Sequence, residues 1–340
     1  NYADERRTKI VPDEGEFDVT ELIEEEDVLI SLTKDGYIKR LPIDTYKVQN
    51  RGGKGIAAGN TKEGDFIKKI ATTNTHEDLL FFTSFGKVYS LEAYKIPEGS
   101  RTSRGQAIIN ILNLESGEKI TEMITLSELG KNSQLVLQTK DGQIKKTDAE
   151  NFTNIRRNGM IAISLREGDK LISVRQIEKD EELIISTQNG MTIQFNTKDV
   201  RTMGRTAIGV RAIKLDKDDE VVSMNIKGEE TYLLVVTRNG FGKKTSFNNF
   251  KNQNRGGKGV RCHKVNDKTG KVVDTLPVDL DTDIMMVSKK GDMIRLAARD
   301  VSTTGRSTMG VKLKNLASED DAIVSVTTYD NMLEDEEKDV

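Results

Sequence analysis

Tryptophan is absent from this 340-residue chain, cysteine occurs once, histidine twice, and aromatic residues make up only 5 %. A single cysteine excludes an internal disulfide and points to a reducing, cytoplasmic setting. No apolar run approaches the length of a membrane span, and the N-terminal residues lack the pattern of a secretory signal, so no membrane partner is expected. His76 and His263 stand far apart, and Cys262-His263 lacks the further ligands of a zinc site, so no metal is expected. A nucleotide-binding P-loop, a Ser-His-Asp order and a paired-carboxylate signature are also missing, which leaves no catalytic residue to nominate. Propeller glycosidases built on carboxylates are compatible with the many Asp and Glu, but nothing selects that reading. Helical periodicity of any length is hard to find.

What the chain does have is a repeat. Thr33, Thr83, Thr139, Thr187, Thr237 and Ser288 each stand three residues before a glycine: Gly36, Gly86, Gly142, Gly190, Gly240 and Gly291. A second glycine follows 19 residues on at Gly55, Gly105, Gly209, Gly259 and Gly310, and 17 on at Gly159 in the third unit. Six units of about 50 residues mark a radial or solenoid array. Apolar, β-branched runs precede the turn glycines, as in Val28–Leu32, Leu79–Phe82 and Leu233–Val236. Asp35-Gly36, Asp141-Gly142, Asn189-Gly190 and Asn239-Gly240 supply positive φ for tight hairpins. An acidic residue followed by apolar alternation comes later in most units, as in Asp65-Phe66-Ile67 and Asp219-Glu220-Val221. Three or four strands per unit predict an all-β, propeller-like fold of six four-stranded antiparallel blades.

The net charge of −3 conceals a partition. Residues 1–27 hold eleven acids and three bases, residues 331–340 five acids and one base, and the stretch between them 48 bases against 39 acids. A basic body with acidic ends argues for a polyanionic partner where the bulk charge would argue against one. The acidic ends also read as solubilising tails.

Within the body, Gln-Asn-Arg-Gly-Gly-Lys-Gly occurs twice in the same repeat phase, at Gln49–Gly55 and Gln253–Gly259. Gly52, Gly53 and Gly55 let backbone N–H groups approach an anion, flanked by Arg51 and Lys54. Gly256, Gly257 and Gly259 with Arg255 and Lys258 repeat the pattern. Phosphate contact is one reading of these loops; a tight turn latching one blade to the next is the other, and the two are compatible. Weaker versions keep an arginine near the second glycine: Arg104, Arg156, Arg157, Arg205 and Arg306. The strand after the hairpin adds Lys39, Arg40, Lys87, Lys145, Lys146, Lys243, Lys244 and Arg295, while Met191–Phe195 of the fourth unit adds none.

Bases held in repeat phase predict a positive belt around a rim, suited to backbone contacts with duplex DNA. Bending 20–30 bp by 40–90° costs about 1–6 kcal/mol, so most of a turn costs roughly 5–20 kcal/mol and several blades must share the contacts. Single-strand binding needs aromatic platforms, and aromatics here are scarce. A scaffold that binds acidic protein partners on the same rim is the competing class.

The heptad Gln49–Gly55 resembles the box of the C-terminal domain of bacterial DNA gyrase A, whose usual form is Gln-Arg-Arg-Gly-Gly-Lys-Gly; Asn50 stands here in place of the first Arg. Asp4-Glu5-Arg6-Arg7-Thr8 resembles the segment leaving the breakage–reunion domain of that family. The resemblance implies an acidic linker over 1–24, a six-bladed β-pinwheel over 25–330 and an acidic tail over 331–340. It implies wrapping of double-stranded DNA with positive handedness, so that the holoenzyme introduces negative supercoils. Gln49, Arg51, Gly52, Gly53, Lys54 and Gly55 would carry that role. A second intact box, Gln253 to Gly259, departs from the family's pattern and is expected to strengthen contact in the fifth blade. The implied partners are the gyrase A N-terminal domain in the same chain and gyrase B in an A2B2 assembly. ATP and magnesium would serve other domains, leaving this one without cofactor or catalysis. The corresponding subunit of topoisomerase IV shares the blades but usually lacks an intact box.

Overall fold

The computed structural model describes residues 22–42, 65, 67–100, 102–126, 129–130, 132–153, 155–156, 158–318 and 320–329. Most of the acidic N-terminal segment, the first heptad Gln49–Gly55, Arg157 and the acidic tail 331–340 lie outside the described residues.

Each unit opens on a hairpin whose first strand is apolar without alternation. Leu79, Leu80, Phe81 and Phe82 are all essentially buried, as are Leu233 to Val236. A strand covered on both faces requires such a run. Successive side chains serve different cores: Leu79 and Phe81 pack with Val28, Ile30 and Leu32, while Leu80 and Phe82 pack with Leu135, Leu137 and Phe152. The cores therefore lie between blades, and each fully buried Leu or Phe contributes about 1.5–3 kcal/mol.

The Thr-x-x-Gly frame closes the hairpins. The amide of Gly36 donates to the Thr33 carbonyl at 3.0 Å, and that of Gly240 to Thr237 at 3.0 Å. Only the glycine takes positive φ in these turns, +78° at Gly240; Asp35 and Asn239 do not. The Asp-Gly and Asn-Gly pairs thus form a turn closed by one left-handed glycine, with the side chain before it free for other work. The recurring acid caps the turn. Asp65 Oδ1 accepts from the Asp35 amide (3.0 Å), Asp169 Oδ1 from Asp141 (2.9 Å) and Asp219 Oδ1 from Asn189 (3.0 Å).

Five blades have four antiparallel strands, and the sixth has three among the described residues. In blade four, for example, the inner strand Val221–Lys227 pairs with Glu182–Thr187, which pairs with Met191–Asn196. The outer strand of that blade is Val260–Arg261, which belongs to the fifth unit. The same exchange gives Gln106–Ala107 to blade one, Met160–Ile161 to blade two, Val210–Arg211 to blade three and Val311–Lys312 to blade five. A unit is therefore not a blade: among the described residues, units two to six each lend an outer strand to the blade before. Blade six consists of Ile323–Tyr329, Asp283–Ser288 and Met293–Ala297. Inner strands of consecutive blades pack against each other in order, first to sixth.

Candidate nucleic-acid interface

In units two to six the second glycine marks where the lent strand crosses the preceding blade. A Cβ on Gly259 would stand 2.3 Å from the Thr192 carbonyl oxygen, and Gly259 has φ +74°. The position thus demands glycine twice over, by clearance and by conformation. At the far end, the Cys262 amide donates to the turn glycine Gly190 at 2.8 Å. The turn glycine of one unit thus receives the strand that crosses at the second glycine of the next.

The second box is the loop that leads into this crossing. Its backbone is laced to blade four and to the outer segment of blade three. Gln253 N–H donates to Gln194 O (2.8 Å), Gly256 N–H to Ala212 O (2.7 Å), and Gly257 O accepts from Lys214 N–H (2.8 Å). Arg255 reaches back, its Nη1 donating to Arg211 O at 2.6 Å and its Nε to Asp199 O at 3.1 Å. Lys258 is largely exposed and 3.4 Å from Asp216. The box is a latch in this geometry, with Lys258 as its outward charge. It is seated on blade four, so the expectation of a contact in the fifth blade is corrected by one blade.

The strand bases expected on the rim divide sharply. Lys39, Lys145, Lys243 and Lys244 are buried, with at most 4 % of their surface exposed. Lys39 Nζ donates to Ser103 O (2.9 Å) and Ser100 O (3.2 Å). Lys145 Nζ donates to Arg205 O (2.5 Å), Gly204 O (3.3 Å) and Ala162 O. Lys243 Nζ donates to Gly305 O and Arg306 O (both 2.6 Å) and to Thr308 Oγ1 (3.2 Å). Lys244 Nζ donates to Ala298 O at 2.7 Å. Burial pushes the Lys145 ammonium down to about 7, with Arg205 adding to the shift; burial likewise pushes Lys243 down to about 8, with Arg306 adding. These lysines do not reach the rim, because a strand between two blades has no solvent face. Lys39, Lys145 and Lys243 hold the latch loops from beneath, and Lys244 holds the short helix Ala298–Asp300.

The remaining candidates are spent in part on neighbours. Lys146 is buried beside Asp180 (3.4 Å), and Arg40 lies near Glu26 (3.6 Å) and Glu98 (3.9 Å). Lys87 pairs with Glu115 and Arg295 with Asp283. Arg104 stacks on the Tyr37 ring at 3.6 Å, and Arg205 Nη1 lies 2.9 Å from Met160 Sδ. Arg156 is exposed, and Arg306 is half-buried on its loop.

A further set of exposed bases repeats on the outer strands. Arg211 and Lys214 on blade three, Arg261 and Lys264 on blade four, and Lys312 on blade five follow the outer valine and face solvent. The signal is legible as Val-Arg-x-x-Lys at 210–214 and 260–264; units two and three have Gln106–Asn110 and Met160–Ser164 there instead. Outer strands are the natural rim, so among the described residues these exposed bases lie on blades three to five.

Enzyme-like groupings are absent among the described residues: no cluster of three or more His, Cys, Asp and Glu is placed to hold a metal. His263 is buried with neither ring nitrogen hydrogen-bonded, and burial pushes its pKa down to about 4. No described helix is long and apolar enough to cross a membrane.

The family model of the DNA gyrase C-terminal domain, a beta-propeller, matches six segments: 27–74, 77–127, 133–178, 181–226, 231–279 and 282–329. The DNA gyrase A protein of Halalkalibacterium halodurans is 53 % identical over 338 residues, covering 99 % of this chain and 40 % of that protein. Its counterpart in Clostridium acetobutylicum is 48 % identical over 312 residues, 92 % of this chain and 38 % of that protein. The chain thus spans about two fifths of these relatives. Among solved structures, a DNA gyrase A C-terminal domain superposes with TM-score 0.70 at 32 % identity, covering 89 % of this chain and all of that one. The C-terminal domain of DNA topoisomerase IV superposes with TM-score 0.79 at 24 % identity, covering 90 % of this chain and 94 % of that one, a likeness of fold alone.

Proposed function

The chain belongs to the family of the DNA gyrase C-terminal domain, and from that premise we propose that it binds duplex DNA along its rim and wraps it with positive handedness. Wrapping would present a second segment of the same DNA to the gyrase holoenzyme, which then introduces negative supercoils. The observation that carries this reading is the row of exposed bases in one repeat phase, Arg211, Lys214, Arg261, Lys264 and Lys312, beside the latch cation Lys258.

The chemistry asked of these residues is simple. Exposed Lys and Arg displace counterions from phosphates and position the duplex without reading its sequence. Contacts spread over consecutive blades offset the bending cost, which no single loop could meet. No step in this task needs a nucleophile, a metal or a nucleotide from this chain. ATP and magnesium belong to other domains of the assembly, as do the partners expected from the family: the gyrase A N-terminal domain and gyrase B in an A2B2 complex. The box at Gln49–Gly55 is assigned a part in contacting the wrapped DNA.

The test is ligation of nicked circular plasmid with increasing protein, followed by topoisomer analysis. A linking number that rises with protein is expected. Binding with no topological change would replace wrapping by tethering, and no binding would favour a protein scaffold. If about six phosphates are neutralised, log affinity falls against log salt with a slope near −5.

A further inference from the structure

Lys145 and Lys243 present a feature that latching alone does not explain. Each is fully buried and bonded to the carbonyl of a loop arginine, Arg205 or Arg306. The arginine held in each case brings a second positive charge to the same loop, and that charge adds to the lowering of the lysine pKa by burial. Among the described residues, no carboxylate forms an ion pair with either lysine. Burying a cation without a counterion is costly, and a neutral donor would satisfy the same carbonyls more cheaply. Two like charges brought together without an acid are stabilised when an anion sits over them.

We propose that Lys145 with Arg205 on blade three, and Lys243 with Arg306 on blade five, form two equivalent phosphate seats. The inference rests on the DNA-binding reading above and names the points of contact on alternate blades. Arg205 and Arg306 touch the phosphate from the half-buried loop. The lysines do not touch it: they are positioning residues that fix the arginine backbone from beneath and add positive potential. Blade four has Ile193 at the corresponding place and carries the second box instead, whose own Arg255 is turned onto carbonyls. Seats of one kind thus flank a latch of another kind.

The test compares Arg306→Ala, Lys243→Met and the double variant in the intact protein, by duplex affinity across a salt series. Arg306→Ala is expected to lower the magnitude of the log–log salt slope by about one. Lys243→Met is expected to do the same although Lys243 is buried, and the double variant to lose no more than either alone. An unchanged slope for Lys243→Met, or losses that add, overturns the proposal, since a merely structural lysine lowers stability without removing a phosphate contact. If Lys243→Met does not fold, Arg306→Ala decides: an unchanged slope overturns the seat. Should the unaltered protein itself show no salt slope, the DNA reading has failed rather than the seat. Inorganic phosphate then serves as probe, expected to raise the melting temperature of the unaltered protein and not of Arg306→Ala; no rise in either overturns the seat.

Discussion

The latch of the fifth unit onto blade four and that of the sixth unit onto blade five follow one path with different anchors. Both cross by a glycine with no room for a Cβ, 2.3 Å from a carbonyl oxygen at Gly259 and at Gly310. Both are laced to the preceding outer segment, Lys214 N–H to Gly257 O at 2.8 Å and Lys264 N–H to Thr308 O at 3.0 Å. The sixth unit's loop is held from below by buried Lys243, the fifth unit's from above by its own half-exposed Arg255. Lys243 donates to carbonyls of the loop it holds, whereas Arg255 extends from its loop to carbonyls of the preceding unit. The difference teaches that the box is a latch carrying its anchor in its own sequence, which exposes that anchor to any competing phosphate.

The comparison breaks first if the crossings are not equivalent. Gly259→Val and Gly310→Val are each expected to cost about 4 kcal/mol, because the side chain meets backbone at a left-handed position. Chemical denaturation that finds one of them tolerated would show that its latch is not closed. Acid sharpens the contrast next. His263 follows the box on blade four, where the third and fourth units have Ile163 and Ile213. Its folded pKa of about 4 lies below the ordinary 6.5, so its contribution is full above pH 6.5 and lost as pH falls through about 4. That loss amounts to about 3 kcal/mol, and His263→Ile should abolish it; melting curves from pH 7 to 4 that superpose for the two proteins would refute the assignment.

The two anchors should also differ in stability. Lys243→Met is expected to cost about 2 kcal/mol by leaving buried carbonyls unpaired, whereas Arg255→Ala should cost about 1 kcal/mol or less because water replaces it. Equal costs, measured by urea titration, would mean that the box anchor is as buried in function as the lysine. The smallest effect belongs to Lys258→Ala. Its exposed pair with Asp216 contributes less than about 0.5 kcal/mol, so stability stays put while the DNA salt slope falls by about one. A large loss of stability would make Lys258 part of the latch rather than its outward charge.

Much of the architecture was legible. Thr-x-x-Gly at a fixed period and apolar runs without alternation, such as Leu79–Phe82, specify hairpins covered on both faces. The acids Asp65, Asp169 and Asp219 were visible in phase, though not their work of capping turns. The exchange of outer strands was not legible, because strands of two residues such as Val260–Arg261 have no period to detect. The candidate site was half legible. Arg255 and Lys258 stand out by composition, and Lys214, Arg261 and Lys264 could have been found by aligning the outer valines. Lys39, Lys145 and Lys243 read as rim charges in sequence because lysine is ordinarily a solvent residue.

The number of units, the hairpins and the chemical identity of the latch loops follow from residue type at short, fixed spacing. Which blade a loop closes, which lysines face inward and which outer strands present charge emerge from the packing of one blade on the next. Those outcomes depend on what covers a strand's second face, and that cover comes from a neighbour about 50 residues away.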